Sequence, residues 1–182
     1  MHNQLKLALT ANSFFLLAAG MLGPIYALFV KDIGGDILAA GSSWATFMIV
    51  SGLGIFAMGR IQDKIKKDKP VIIIGYILQS IGFLGYFFVA NVFQLFIVQI
   101  LLGVSMVIHL PAYDSFYTKY LEKGKFASQW AVWESVYYTI TGIAALIGAF
   151  LVKLFGFKFL FLIMFFWSLI GLLIATRLKE KK

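Results

Sequence analysis

The chain has 182 residues, of which 61% are apolar and 13% are charged. Soluble domains are about 45–50% apolar and about 25% charged, so this composition excludes a soluble protein and predicts an integral membrane protein. The 16 Lys and Arg residues outnumber the eight Asp and Glu residues, giving a net charge of +8. In a membrane protein this excess is typical of cytoplasmic loops rather than of a nucleic-acid-binding surface. Without cysteine, the chain has neither disulfides nor thiolate metal sites.

Six apolar stretches follow along the chain, and each is long enough to span a bilayer. About 20 residues of α-helix cross a hydrocarbon core about 30 Å thick. Because lipid satisfies no backbone hydrogen bonds, each stretch is expected to be helical. We therefore predict one all-α integral membrane domain over residues 1–182, a six-transmembrane-helix bundle with spans at about 7–30, 37–58, 71–90, 92–113, 127–152 and 159–176.

The distribution of basic residues predicts the orientation of this bundle. With six spans both termini lie on one side of the membrane. Three basic residues fall on the opposite side, namely Lys31, Lys153 and Lys158, and the other 13 fall on the side of the termini. Since Lys and Arg accumulate in cytoplasmic loops, we expect both termini in the cytoplasm and the protein in the plasma membrane.

The loop between the second and third spans has a specific charge pattern. Residues 59–70 read GRIQDKIKKDKP, and four positions give G-x-x-x-D-K-x-x-K: Gly59, Asp63, Lys64 and Lys67. A solvated, positively charged loop is the simpler explanation. The pattern also resembles the signature of the major facilitator superfamily, G-x-L-A-D-R-x-G-R-[KR], which occupies the same loop. Lys66 stands where the signature has its second glycine.

Other segments are similar to the same family, in the same order. Residues 20–24, GMLGP, resemble its G-x-x-x-P segment, and residues 99–103 resemble R-x-x-x-G with Gln99 in place of the arginine. Pro111-Ala112 and the segment GFKFLF at 156–161 follow the family pattern as well. The fifth span departs from it, because Ala144-Ala145 replaces the Gly-Pro of many drug–proton antiporters. This departure and Gln99 weaken a proton-antiport interpretation.

The resemblance implies a fold and a function. Family members have two six-helix bundles, each a three-plus-three inverted repeat, with substrate between them at mid-membrane. This chain corresponds to the N-terminal half. The resemblance therefore implies a secondary active transporter, or a half-size subunit of one, that moves a small solute by alternating access. A second six-helix bundle is the expected partner, as a homodimer or a separately encoded half. The alternative is a non-transporting membrane scaffold or a truncated remnant.

In this family the signature loop contacts the opposite bundle. The resemblance therefore implies that Gly59, Asp63, Lys64 and Lys67 form a conformational gate. In a homodimer, Asp63 of one copy is expected near Ser128 and Gln129 of the other, since a helix N-terminus favours a carboxylate.

Polar side chains inside spans are costly and are candidates for function. Glu134 is the only carboxylate well inside a span, and helical spacing aligns it with Tyr138 and Thr141. It is either a proton or cation site or a structural acid near the interface. His109 is either part of a relay with Glu134 or a neutral side chain that packs against Tyr113 and bonds to a backbone carbonyl.

Three further residues complete the candidate cavity. Asn12 and Tyr26 share a face of the first span with small residues, which permits either solute contact or close helix packing. Gln99 occupies a position that is functional in the family. Asp114, near the inner end of the fourth span, is expected to pair with Lys119 or with the next loop.

No enzymatic pattern is present in the sequence. There is no HExxH motif, no pair of intramembrane aspartates, no nucleophile elbow and no phosphate-binding glycine loop. We therefore expect no enzyme activity, no metal and no cofactor. The expected partners are the lipid bilayer and a small-molecule substrate, with or without proton coupling, and not nucleic acid.

Overall fold

A computed structural model describes residues 2–65 and 67–181, which are helical without any strand. The helices are α1 (Asn3–Gly20), α2 (Tyr26–Asp32), α3 (Ile37–Gln62), α4 (Asp68–Phe88), α5 (Val92–Lys119) and α6 (Phe126–Ala175). With α1 and α2 counted as one segment, five helical segments in this part of the chain are long and apolar enough to cross a membrane. The all-α membrane architecture expected from the composition is therefore confirmed.

Polar side chains at the loops determine where several helices begin. The side chain of Asp36 accepts a hydrogen bond from the backbone of Ala39 at 2.7 Å and caps α3. Asn91 caps α5 in the same way through the backbone of Gln94, at 3.0 Å. These contacts satisfy backbone N–H groups that have no partner within the helix.

The first membrane segment is broken at residues 21–25. The helix α1 ends at Gly20, a short 3₁₀ turn covers Gly23–Ile25, and α2 continues from Tyr26. Pro24 lies within this turn, and a proline ring removes one backbone donor and disfavours a continuous α-helix. Residues 20–26 therefore contain backbone that departs from the α-helix inside the bundle.

The last segment, α6, differs from the sequence prediction of two separate spans. It runs for 50 residues as one helical segment, interrupted at Gly156, where φ is 79° and ψ is 175°. Only glycine adopts this conformation readily. A continuous 50-residue helix would measure about 75 Å, far more than the hydrocarbon core of a bilayer. The two predicted spans thus meet at a single glycine rather than at a loop.

Small residues allow the helices to pack closely. The helices α1 and α6 contact each other extensively, and α5 packs against both α3 and α4. A Cβ atom at Gly148 of α6 would lie 2.1 Å from the backbone oxygen of Met21. A Cβ atom at Gly75 of α4 would lie 2.6 Å from the Cβ of His109 on α5. Such contacts are typical of helix packing in membranes, where backbones approach across small residues.

One end of the bundle is held by polar contacts between distant parts of the chain. Asp68 is fully buried and accepts hydrogen bonds from Gln62 at 2.9 Å and from Lys119 at 2.5 Å. Lys119 therefore pairs with Asp68, whereas Asp114 was the residue predicted to pair with Lys119 or with the next loop. At the same end the backbone of Lys179 donates to the side chain of Gln4 at 2.8 Å. Residues near the start and near the end of the chain thus lie together.

The helix α3 is the least buried of the membrane segments. In the most apolar stretch of 18 residues in α3, only 6% of the residues are buried. In the corresponding stretch of α4 the share is 50%. Its exposed side chains are large and apolar, and they include Met48, Leu53 and Phe56. A face of this kind contacts either lipid or another protein surface.

Candidate functional site

Three of the predicted cavity residues line one cavity of about 330 Å³ between α1, α5 and α6. They are Asn12, His109 and Glu134. Asn12 and His109 are buried, whereas Glu134 is exposed at the side of the cavity. The remaining lining is mainly aromatic and includes Phe15, Tyr113, Trp133 and Tyr137. The cavity therefore combines one carboxylate with aromatic rings and a histidine.

The imidazole of His109 is surrounded by rings. It stacks on Phe15 at 4.8 Å, with 14° between the planes, and on Tyr113 at 5.6 Å, and its edge meets Tyr76 at 4.9 Å. The backbone of Ile72 lies close, but neither ring nitrogen has a formed hydrogen bond. His109 thus packs against Tyr113 and shares a cavity with Glu134, while the expected bond to a backbone carbonyl is not formed.

Four residues around this cavity have buried polar atoms without a hydrogen-bond partner, and we call them the unpaired cluster. Its atoms are the hydroxyls of Tyr76 and Tyr113, both ring nitrogens of His109 and the indole nitrogen of Trp133. Tyr113 and Trp133 are near each other without forming a hydrogen bond. Buried polar groups are nearly always bonded to protein or to ordered water. A group of this size therefore indicates a place for water or for a polar solute.

A second group of polar residues lies towards the other end of the bundle, and we call it the paired cluster. Tyr86 donates to the side-chain oxygen of Gln99 at 3.2 Å, and the amide of Gln99 donates to the hydroxyl of Tyr26 at 2.5 Å. The Tyr26 hydroxyl lies 2.6 Å from the Ser43 hydroxyl, which donates to the backbone oxygen of Ala39 at 2.6 Å. This continuous chain connects α4, α5, α2 and α3.

The paired cluster contains two predicted residues and two that the sequence analysis did not identify. Tyr26 and Gln99 are 73 positions apart in the chain and bond directly. Ser43 and Tyr86 were missed, because a single serine or tyrosine in an apolar span carries no motif. All four side chains are buried.

Tyr138 and Thr141, the other two predicted residues, lie outside these clusters. The side chain of Tyr138 is 70% exposed and meets the ring of Tyr137 edge-on at 5.1 Å. Thr141 lies where α6 approaches α1. A Cβ atom added at Gly20 would lie 3.2 Å from the Cα of Thr141. The structure therefore places Thr141 at a helix–helix contact.

The predicted gate loop is exposed at the end of α3. The side chains of Asp63, Lys64 and Lys67 are exposed, and Gly59 is half-buried. The backbone of Asp63 donates to the oxygen of Gly59 at 3.1 Å and ends the helix. Lys66, which replaces the second glycine of the signature, lies outside the described residues.

Comparison with known proteins identifies the class of the chain. The sequence model of the Major Facilitator Superfamily matches residues 8–182, so the chain belongs to this family of membrane transporters. The chain is also similar to the multidrug resistance protein MdtG of Klebsiella pneumoniae (strain 342), with 31% identity over 116 residues. The match covers 60% of this chain but 27% of the relative, so the matched part is about a quarter of the length of that relative.

Proposed function

We propose that this chain forms one six-helix bundle of a secondary active transporter that moves a small solute by alternating access. The observation that supports this most strongly is the unpaired cluster beside Glu134. Polar atoms left without partners inside a membrane bundle are costly unless water or a solute completes them.

The proposed topology has six spans with both termini in the cytoplasm of a plasma-membrane protein. The hydrogen bond between Lys179 and Gln4 supports termini on one side. The non-helical Gly156 supports a division of α6 into two crossings, at 126–155 and 157–175. The two groups of three spans would be the halves of an inverted repeat.

The proposed transporter is completed by a second six-helix bundle. The apolar, exposed face of α3 and the exposed Tyr138 of α6 support this proposal, because they leave an uncovered surface next to the cavity. The second bundle is another copy of this chain, a separate chain or further residues of a longer one. Asp63 and its loop would then contact it, as the family resemblance implies.

The solute is proposed to be hydrophobic or amphipathic. The 330 Å³ cavity is lined mainly by aromatic side chains, and Glu134 is its one carboxylate. Proton coupling through Glu134, with His109 as a neighbour, is part of the proposal. The similarity to a multidrug resistance protein is compatible with a solute of this kind.

The test is transport in reconstituted vesicles. The chain, alone and together with a second bundle, is placed in liposomes that carry an internal pH indicator. Candidate hydrophobic solutes are then added on one side. We expect solute-dependent proton movement that protein-free liposomes lack. Absence of such movement under both conditions would support the scaffold or remnant alternative.

Topology is tested independently, since the chain contains no cysteine. A Lys158→Cys variant should react with a membrane-impermeant thiol reagent added outside intact cells. A Gly124→Cys variant should react only after the cells are opened. The reverse pattern, or labelling of both from outside, would contradict the proposed orientation.

A further inference from the structure

A second cavity lies inside the bundle, next to the break in the first membrane segment. Its volume is about 110 Å³, and Ala19, Leu22 and Gly23 form one side of it. Phe15 and Met106 line both this cavity and the larger one, so the two are neighbours. Broken helices in transporters place non-helical backbone where it lines a cavity. The position of this cavity therefore suggests a binding site rather than a packing defect.

The lining of the 110 Å³ cavity is aromatic and uncharged. Rings come from three helices, with Phe15 on α1, Trp44 and Phe47 on α3, and Phe83 and Tyr86 on α4. Among the residues that the structure describes, no Asp, Glu, Lys, Arg or His lines the cavity. A charged ligand would lose its hydration here without gaining a counter-ion. The lining therefore favours an uncharged, flat molecule.

Gln79 provides a polar group in this apolar lining. Its side chain is 3% exposed, and its amide oxygen has no hydrogen-bond partner. The neighbouring Gln99 is already bonded to Tyr26 and Tyr86. Ser105 donates to the backbone oxygen of Gly75 at 3.0 Å. Gln79 thus retains an acceptor for a donor on a ligand.

The volume limits the size of the ligand. Apolar cavities of about 150 Å³ in soluble proteins hold benzene. The cavity of about 110 Å³ is smaller, so a ligand with a single aromatic ring fits it only with part of the ligand at the opening beside exposed Ala19 and Gly23. We propose that this cavity binds a small uncharged aromatic molecule with one hydroxyl group, a phenol, which donates a hydrogen bond to Gln79. The site does not depend on whether the chain transports a solute.

The test uses 4-fluorophenol as the probe and fluorobenzene as the analogue without a donor. The protein is placed in phosphatidylcholine nanodiscs, and binding is followed by fluorine NMR with protein-free nanodiscs as the blank. We expect saturable binding of 4-fluorophenol, about fivefold tighter than binding of fluorobenzene, since one hydrogen bond accounts for a preference of this size. No saturable binding, as for a cavity that holds only water, would overturn the proposal.

Two matched tryptophan variants localise the binding. Ala19 lies at the opening of the cavity, whereas Ala57 is an exposed alanine of α3 that does not line it. Ala19→Trp should weaken binding of 4-fluorophenol at least about tenfold by blocking the opening, because the ring of tryptophan is larger than the space beside alanine. Ala57→Trp should leave binding unchanged. Equal binding by the two variants would overturn the proposed location.

Two substitutions of Gln79 test the hydrogen bond. Gln79→Leu and Gln79→Met remove the acceptor and keep a side chain of similar volume. Either variant that unfolds at the same temperature as the natural protein should bind 4-fluorophenol and fluorobenzene equally. A variant that keeps the fivefold preference would show that Gln79 is not the polar partner.

Discussion

The paired and unpaired clusters lie in the same bundle, but their hydrogen bonding is opposite. In the paired cluster each donor meets an acceptor, from Tyr86 through Gln99 and Tyr26 to Ser43. In the unpaired cluster, around His109 and Trp133, the polar atoms have no partner. The comparison indicates that paired polar groups hold helices together, whereas unpaired ones remain available to water or solute.

The largest expected effect concerns Glu134, the carboxylate next to the unpaired cluster. Glu134→Gln removes the charge and keeps the shape, so proton-driven transport should fall at least about tenfold if this group carries the proton. Glu122→Gln is the matched control, because Glu122 is a carboxylate in the loop before α6. Vesicle transport is measured for both variants, and equal transport would contradict the assignment.

The next effect concerns the packing of α4 against α5 beside the unpaired cluster. Gly75→Ala would place a Cβ atom 2.6 Å from the Cβ and 2.9 Å from the Cα of His109, so the helices must separate. We expect a loss of about 2–3 kcal/mol in the free energy of unfolding, measured in mixed micelles.

Gly85→Ala is the control for this packing, at the other end of α4 near the paired cluster. Its nearest contact would be the side chain of Val98 at 3.1 Å. Because a side chain can shift and alanine favours helix, stability should change by less than about 1 kcal/mol. Equal losses for the two variants would show that the close approach at His109 has no special importance.

A smaller effect on stability distinguishes the paired cluster from the unpaired cluster. Gln99→Leu breaks the bonds to Tyr26 and Tyr86, so we expect the free energy of unfolding to fall by about 1–2 kcal/mol. His109→Phe keeps a flat ring and removes two unpartnered nitrogens, so stability should change by less than about 0.5 kcal/mol. Unfolding in mixed micelles measures both. If His109→Phe is the more destabilising change, the claim that the paired cluster stabilises helix packing more than the unpaired cluster is contradicted.

The smallest effect lies outside the membrane. Lys125 donates to Glu122 at 2.8 Å, and this hydrogen bond is the largest of the causes that lower the pKa of the carboxyl from 4.5 to about 2. The pair therefore stabilises the folded loop above pH 4.5, and this contribution is lost as the pH falls towards 2. Because such exposed pairs are weak, Glu122→Gln should alter unfolding little at neutral pH. A clear loss of stability at pH 7 would contradict this and disqualify Glu122→Gln as a control.

The general architecture was predictable from the sequence, because helix length and apolar composition follow directly from bilayer thickness. The family was also predictable, since Gly59 and Asp63 fit its signature. The joining of the last two predicted spans at Gly156 was not predictable from the sequence. One glycine in a charged and aromatic stretch is equally compatible with a loop. The pairing of Lys119 with Asp68 was missed, since the two residues are 51 positions apart and only tertiary packing brings them together.

The location of the candidate site residues could be predicted in part, whereas their roles stay predictions. Asn12, His109 and Glu134 stand out in the sequence because polar groups are rare in spans, and the structure gathers them around one cavity. The bond between Tyr26 and Gln99 depends on the position of the break at residues 21–25, which determines where Tyr26 points. Gln79, Ser43 and Tyr86 carry no sequence signal, since their importance comes only from their neighbours.

The most direct test of the account is solvent access to the two clusters. Because the natural chain has no cysteine, Asn12→Cys and Ser43→Cys each introduce a single thiol, at the 330 Å³ cavity and in the paired cluster respectively. The rate of reaction with a small water-soluble methanethiosulfonate is measured in native membranes. We predict that Asn12→Cys reacts at least about tenfold faster, because a packed position reacts only when the structure opens. Equal rates, or a faster reaction at Ser43→Cys, would contradict the claim that the unpaired cluster adjoins a cavity open to water and solute.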